Sequence, residues 1–430
     1  MTINKLQKLL FSVVVIFMTT CAVFAQSDIS SPYSRFGLGS INHGRNNTIV
    51  QGMGGICNAL NDKYLLNNSN PASYAEIDSL TFLFDAGFFM KYVTYRTTDV
   101  TEKGSNASFD YFDIGFGVTK WLKMGFGIAP YSSRAYTSKA DYTWAHNYPY
   151  SIDYKGSGGL NKAYWANGFK LGKSLSLGFK MNYIFGNIID ETTLYFPDFV
   201  YFHNERRTNN LRFTDLTFDL GVIFKHQFKN DYQLAFGVTY SLPANMTAHR
   251  DAFIRTMFKG YGSFIEKPVD TILYKKNESI AVKYPQGIGA GVALQKGERW
   301  LVGIDFNWNN WSAFRVNHVN DSLQDSWNIA VGGCYTPYST SVSNYFRKLT
   351  YRAGFRYEQT YFNIYGTSIN KYGVSFGVGL PVPRAMTMIN LAFELGKMGT
   401  TEHGLVAESY FNISLGLSLH DRWFAKRRYK

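Results

Sequence analysis

The residues of this chain that could do chemistry are few and poorly placed for catalysis. Gly373-Val374-Ser375-Phe376-Gly377 matches the Gly-x-Ser-x-Gly pattern of hydrolases. A nucleophilic serine needs a sharp strand-to-helix turn to expose its hydroxyl, however, and these residues fall in an alternating run that reads as strand. The eight histidines show none of the spacings by which imidazoles converge on a metal. Gly287, Gly289 and Gly291 lack the third spacing of a dinucleotide loop and predict a smooth stretch of wall instead. Cys57 and Cys334 are too few for a disulfide framework and read as packing residues. These observations predict no enzyme, no metal and no cofactor.

Two other features carry structural chemistry. Pro130, in Gly125-Phe126-Gly127-Ile128-Ala129-Pro130-Tyr131, lacks the N–H that a sheet ladder needs, so the strand either bulges there or ends near Ala129. A set of charged residues, Asp85, Lys91, Asp113, Lys180, Asp215, Asp219, Arg352, Arg356, Glu358 and Glu394, falls on one face of alternating runs.

The elements that position these residues are strands. The 430 residues include 31 Tyr, 35 Phe, 8 Trp and 39 Gly, a mixture that suits pleated sheet and argues against a helical bundle or a disordered chain. No linker or shift in composition divides the chain, which predicts one large all-β unit. Alternation is almost complete in places. Leu175, Leu177, Phe179, Met181, Tyr183 and Phe185 oppose Ser174, Ser176, Gly178, Lys180 and Asn182. Leu216, Phe218, Leu220, Val222 and Phe224 oppose Asp215, Thr217, Asp219 and Gly221 in the same way. Runs of roughly ten or more residues exceed the usual sandwich strand and match the length that crosses a bilayer at a tilt. Aromatic and aliphatic side chains on one face, with small and polar ones opposite, predict a barrel that is apolar outside and polar inside.

Residues 1–25 read as a secretory signal, with Lys5 and Lys8 leading, an apolar middle from Leu9 to Met18, and Val23-Phe24-Ala25 as the cleavage site. Candidate strands lie near 80–95, 107–120, 122–137, 161–172, 174–189, 211–228, 232–248, 283–295, 299–315, 325–337, 347–362, 370–380, 386–398 and 408–420, fourteen in all. Tight links alternate with long ones at 138–160, 190–210 and 249–282, although 338–346 breaks the alternation. Short turns on one side and long loops on the other predict an outer-membrane barrel with periplasmic turns. Residues 26–78 do not alternate. A fourteen-stranded lumen is wider than its own side chains fill, so this segment is expected to plug it as a hatch. Residues 79–420 form the barrel and 421–430 a basic periplasmic tail containing Lys426, Arg427, Arg428 and Lys430. The net charge of +13 is otherwise scattered, which predicts no nucleic-acid partner.

A plug ending in Asn70-Pro71-Ala72, fourteen strands, and the third-strand sequence Gly125 to Tyr131 together resemble the FadL family of outer-membrane transporters for hydrophobic compounds. The resemblance spans essentially the whole mature chain. It implies a monomeric fourteen-stranded antiparallel transmembrane β-barrel with an N-terminal hatch in the lumen. Asn70, Pro71 and Ala72 would then belong to the hatch, and Gly127 and Pro130 to an inward kink that opens a lateral path to outer-membrane lipid. The implied function is passive uptake of long-chain fatty acids or another hydrophobic small-molecule ligand. The chain departs from the family in its basic tail and in its charged inner face, whose ion pairs would anchor the hatch. The alternative is a non-transporting accessory subunit of an outer-membrane secretion or assembly complex, docking outer-membrane protein partners through residues 249–282 or the tail.

Overall fold

The computed structural model describes residues 31–41, 47–144, 148–196, 203–259, 266–317, 319, 323–337, 345–383 and 387–422. The expected signal segment and the basic cluster at 426–430 lie outside the described residues.

Strand β1 is the short stretch Ser40–Ile41. The wall is built from β2 Thr81–Arg96, β3 Thr101–Gly117, β4 Leu122–Ser133, β5 Tyr136–Trp144, β6 Tyr148–Leu171, β7 Leu175–Tyr195, β8 Asn204–Gln227 and β9 Tyr232–Ser241. It continues through β10 Ala244–Lys259, β11 Glu266–Tyr284, β12 Gly287–Lys296, β13 Trp300–Asn309, the two-residue β14 Arg315–Val316, and β15 Ser326–Tyr335. The last strands are β16 Thr350–Ile364, β17 Thr367–Pro381, β18 Thr387–Met398 and β19 Ala407–Arg422. Neighbours pair antiparallel, and β19 closes on β2 from Ala407 opposite Arg96 to Arg422 opposite Thr81. The pairs β4/β5, β9/β10, β11/β12 and β13/β14 are each one wall strand with an interruption. Counted in this way, the structure is a closed fourteen-stranded antiparallel barrel, as expected from the sequence. Two of the interruptions fall at Pro243 and Pro285, which face each other across the sheet between the Ser241–Gly287 and Ala244–Tyr284 registers. Neither proline can donate to the ladder, so both strands break at the same height.

The alternation read from the sequence becomes the two faces of the wall. On β7, Leu177, Phe179 and Tyr183 point outward and are exposed, while Ser176, Lys180 and Asn182 are buried inside. The long loops, by contrast, are extended hairpins. Residues 138–144 and 148–160 belong to β5 and β6, 190–195 and 204–210 to β7 and β8, and 249–259 and 266–282 to β10 and β11. Their strand signal was hidden because they run past the apolar band. Both faces there meet water, and the inside-outside alternation fades.

Residues 47–77 sit against the inner wall. They contain one helical turn, Thr48–Gln51, capped by the Asn47 side chain, and a 3₁₀ turn, Pro71–Glu76, capped by Asn70. Wall glycines make room for them. A Cβ at Gly178 would overlap the Ala72 backbone, and one at Gly237 would overlap the Asn58 carbonyl.

Candidate functional site: the occupied lumen

The lumen is filled at two levels. At the short-turn end, residues 47–77 are pinned by side chains that the wall strands project inward. Asp305 on β13 accepts the backbone N–H groups of Cys57 (2.5 Å) and Asn58 (2.7 Å). Asp85 on β2 accepts from Asn47 Nδ2 (2.7 Å), Tyr111 Oη (3.0 Å) and Ser418 Oγ (3.1 Å). Lys180 on β7 pairs with Asp219 (2.9 Å) and donates to the Asn68 carbonyl (2.6 Å). Asp113 takes Tyr164 Oη at 2.5 Å, and Tyr164 in turn meets Tyr74 Oη at 3.1 Å. Ser375, the serine of the hydrolase-like pattern, lies in β17 and accepts the Gly54 N–H at 2.7 Å, so its hydroxyl serves as an anchor. A buried polar group without partners would cost several kcal/mol, so these inward side chains are tolerated because each is paired or hydrogen-bonded.

The expected residues fall as follows. Asn70 caps its own turn by accepting the Ala72 N–H (3.0 Å) and donates to the Asn58 carbonyl (2.6 Å), tying the turn to the middle of the segment. Pro71 and Ala72 are buried beneath the inner wall. Of the inward charges, Arg356 pairs with Glu394 at 2.8 Å and Lys91 with Glu408 at 3.8 Å, on the wall itself. Asp215 accepts the Thr247 N–H instead (2.8 Å). Asp305, Tyr111 and Tyr164 were missed. Asp305 could have been found, because it alternates with the outward Ile304 and Phe306.

Glu76 closes the segment at the short-turn end. Its carboxylate pairs with Lys225 and with Lys170 (3.2 Å) and accepts from Ser176 Oγ (3.0 Å). Burial pushes its pKa upward, but the two ammonium groups together outweigh that, and the carboxyl is held below its ordinary range. Burial pushes the Cys57 thiol up, and the neighbouring Asp305 carboxylate adds to the effect.

Above this, toward the long hairpins, an apolar cluster fills the barrel. Tyr33 and Leu38 from the N-terminal segment pack with Leu160, Ile184, Phe213, Trp311, Phe314, Tyr361 and Phe362. The Trp311 and Tyr361 rings lie 4.6 Å apart, and Tyr361 Oη donates to the Gly39 carbonyl.

Among the described residues the wall is interrupted between β3 and β4. The β3–β4 ladder runs from Gly117–Lys123 to Phe112–Ile128 and stops, although β3 continues to pair with β2 as far as Thr101. Beyond Ile128, strand β4 stays with β6 through a register irregularity between Pro130 and Ser132, and Ser132 and Ser133 pair with β1. Gly127 faces inward, where a Cβ would overlap Asp113 and Tyr164.

A family model described as BamG matches residues 6–430. The chain belongs to the BamG family. No curated protein matches it. Among solved structures it is similar to a FadL homologue from Pseudomonas aeruginosa, at 15% identity over 88% of this chain and 98% of that one, with a TM-score of 0.55. It is also similar to the Ralstonia pickettii toluene transporter TbuX, at 13% identity over 88% and 99%, with a TM-score of 0.56. A TodX monoaromatic hydrocarbon channel mutant matches at 16% identity over 87% and 98%, with a TM-score of 0.58. The resemblance to FadL therefore holds for the fold, and the family of this chain is BamG.

Proposed function

We propose that this BamG-family chain is a lumen-closed barrel of the outer membrane that serves as an accessory subunit, docking other outer-membrane proteins rather than conducting a compound. The observation that carries this reading is the occupied interior, with the pinned segment 47–77 at one level and the Tyr33–Trp311–Tyr361 cluster at the other. Residues 248–259 and 266–280 supply a surface for a partner, paired strands standing beyond the apolar band with Val269, Ile272 and Tyr274 exposed. The BamG designation also favours partners in the outer membrane.

A second reading is passive uptake of a hydrophobic compound, with Asn70, Pro71 and Ala72 in a movable hatch and lateral exit to lipid beside Gly127 and Pro130. The seam between β3 and β4 favours it. Purification of the native chain in mild detergent, with mass spectrometry of proteins and lipids, separates the two. A stoichiometric protein partner and no apolar ligand is the expected result. A lone barrel carrying a fatty acid or an aromatic hydrocarbon would overturn the docking reading.

A further inference from the structure

Basic residues that look scattered along the chain come together in space. At the short-turn end of the barrel, five turns carry at least one among the described residues. Lys120 is on the β3–β4 turn, Lys173 on β6–β7, Lys229 on β8–β9, Arg299 on β12–β13, and Arg347 with Lys348 before β16. Lys120, Lys173 and Lys229 are exposed and make no ion pair among the described residues. Large apolar side chains stand beside them, with Trp121 56%, Phe228 48% and Phe346 72% exposed. Trp121 stacks on the outward Phe169, with ring centres 6.2 Å apart, which places it at the edge of the apolar band. Acidic residues at these tips are fewer, and Glu298 lies 3.8 Å from Lys63 of the N-terminal segment.

We infer that this rim is a binding surface for anionic phospholipid headgroups of the leaflet it faces. An ammonium at headgroup height gains by pairing with a lipid phosphate, and an indole beside it fits the boundary between hydrocarbon and water. The distribution favours lipid over protein. The charges are spread over turn after turn around the ring, which matches a surrounding annulus of lipid, whereas a protein partner would cover one sector. The inference rests on the barrel standing in a bilayer and is independent of whether it docks or transports.

The test uses the purified full-length chain in vesicles of equal phosphatidylglycerol and phosphatidylethanolamine, with retained lipids counted by native mass spectrometry. Phosphatidylglycerol is expected to be enriched about threefold or more. In the combined variant Lys120→Gln, Lys173→Gln, Lys229→Gln, the ratio is expected to fall to that of the vesicle. The corresponding Lys→Arg variant is expected to retain the enrichment, and about 1 M salt, which shortens screening to about 3 Å, to abolish it. Wild-type retention at the bulk ratio would overturn the inference, as would unchanged enrichment in the Gln variant. Loss from the Gln variant of an acidic protein that co-purifies from native membranes, with lipid selectivity intact, would assign the rim to a protein and overturn it equally.

Discussion

Asp305 holds two backbone N–H groups of the N-terminal segment with one buried carboxyl group. Asp305→Ala leaves both donors buried and unpaired, at a cost of about 1–3 kcal/mol for each. The denaturation midpoint in detergent is expected to fall accordingly, with Asp305→Asn intermediate. Glu76 predicts a pH dependence. Its pKa is lowered in the folded chain, so the stability it contributes is present above the unfolded carboxylate pKa and is lost as pH falls through the folded value. The stability difference between wild type and Glu76→Gln should therefore be largest near neutral pH and shrink on acidification. A difference that grows on acidification would contradict the role of the Lys225 and Lys170 pairs. At this scale the sequence was half legible. Period two marked Asp85, Asp113 and Lys180 as inward, but nothing in it said which groups of a distant segment they would meet, because those contacts join residues 38 or more positions apart.

The wall strands could be read to within a few residues wherever one face met lipid and the other the lumen. Reading failed where that contrast ended, and the stretches taken for long loops are strands. The β10–β11 hairpin separates from the barrel in a testable way. Below it, β9 and β12 pair independently from Ser241–Gly287 to Tyr232–Lys296. Ala248 and Ile280 are register partners, so excising 249–279 and joining them by a two-residue turn should leave a barrel that still shifts on heating in gel electrophoresis. On the docking account, the same excision removes the co-purifying partner. The seam makes an opposite demand. Pro130→Val returns an N–H to β4 beside the open edge, and stability is expected to change by no more than about 1 kcal/mol. Partner retention should be unaffected, whereas apolar uptake through the seam would be altered if that were the working path.

For the whole molecule, an apolar outer face and a segment filling the lumen were legible because each follows from a count or a period. What the plug does was not, since a hatch that moves and a core that stays share one composition. The structure bears on this through the number of buried contacts that must break together before residues 47–77 can leave. These include the Asp305, Asp85, Ser375, Lys180 and Glu76 anchors at one level and the aromatic cluster above. The most direct test is to lock the segment in place. Cys57 lies beside Asp305, so the variant Asp305→Cys offers a disulfide between the segment and β13 that can be opened with reductant. With this variant as the sole copy in cells, the oxidised chain is expected to keep its protein partner and to support growth as well as the reduced chain does. Loss of function on oxidation, regained with apolar uptake on reduction, would show that the segment must move and would contradict the account.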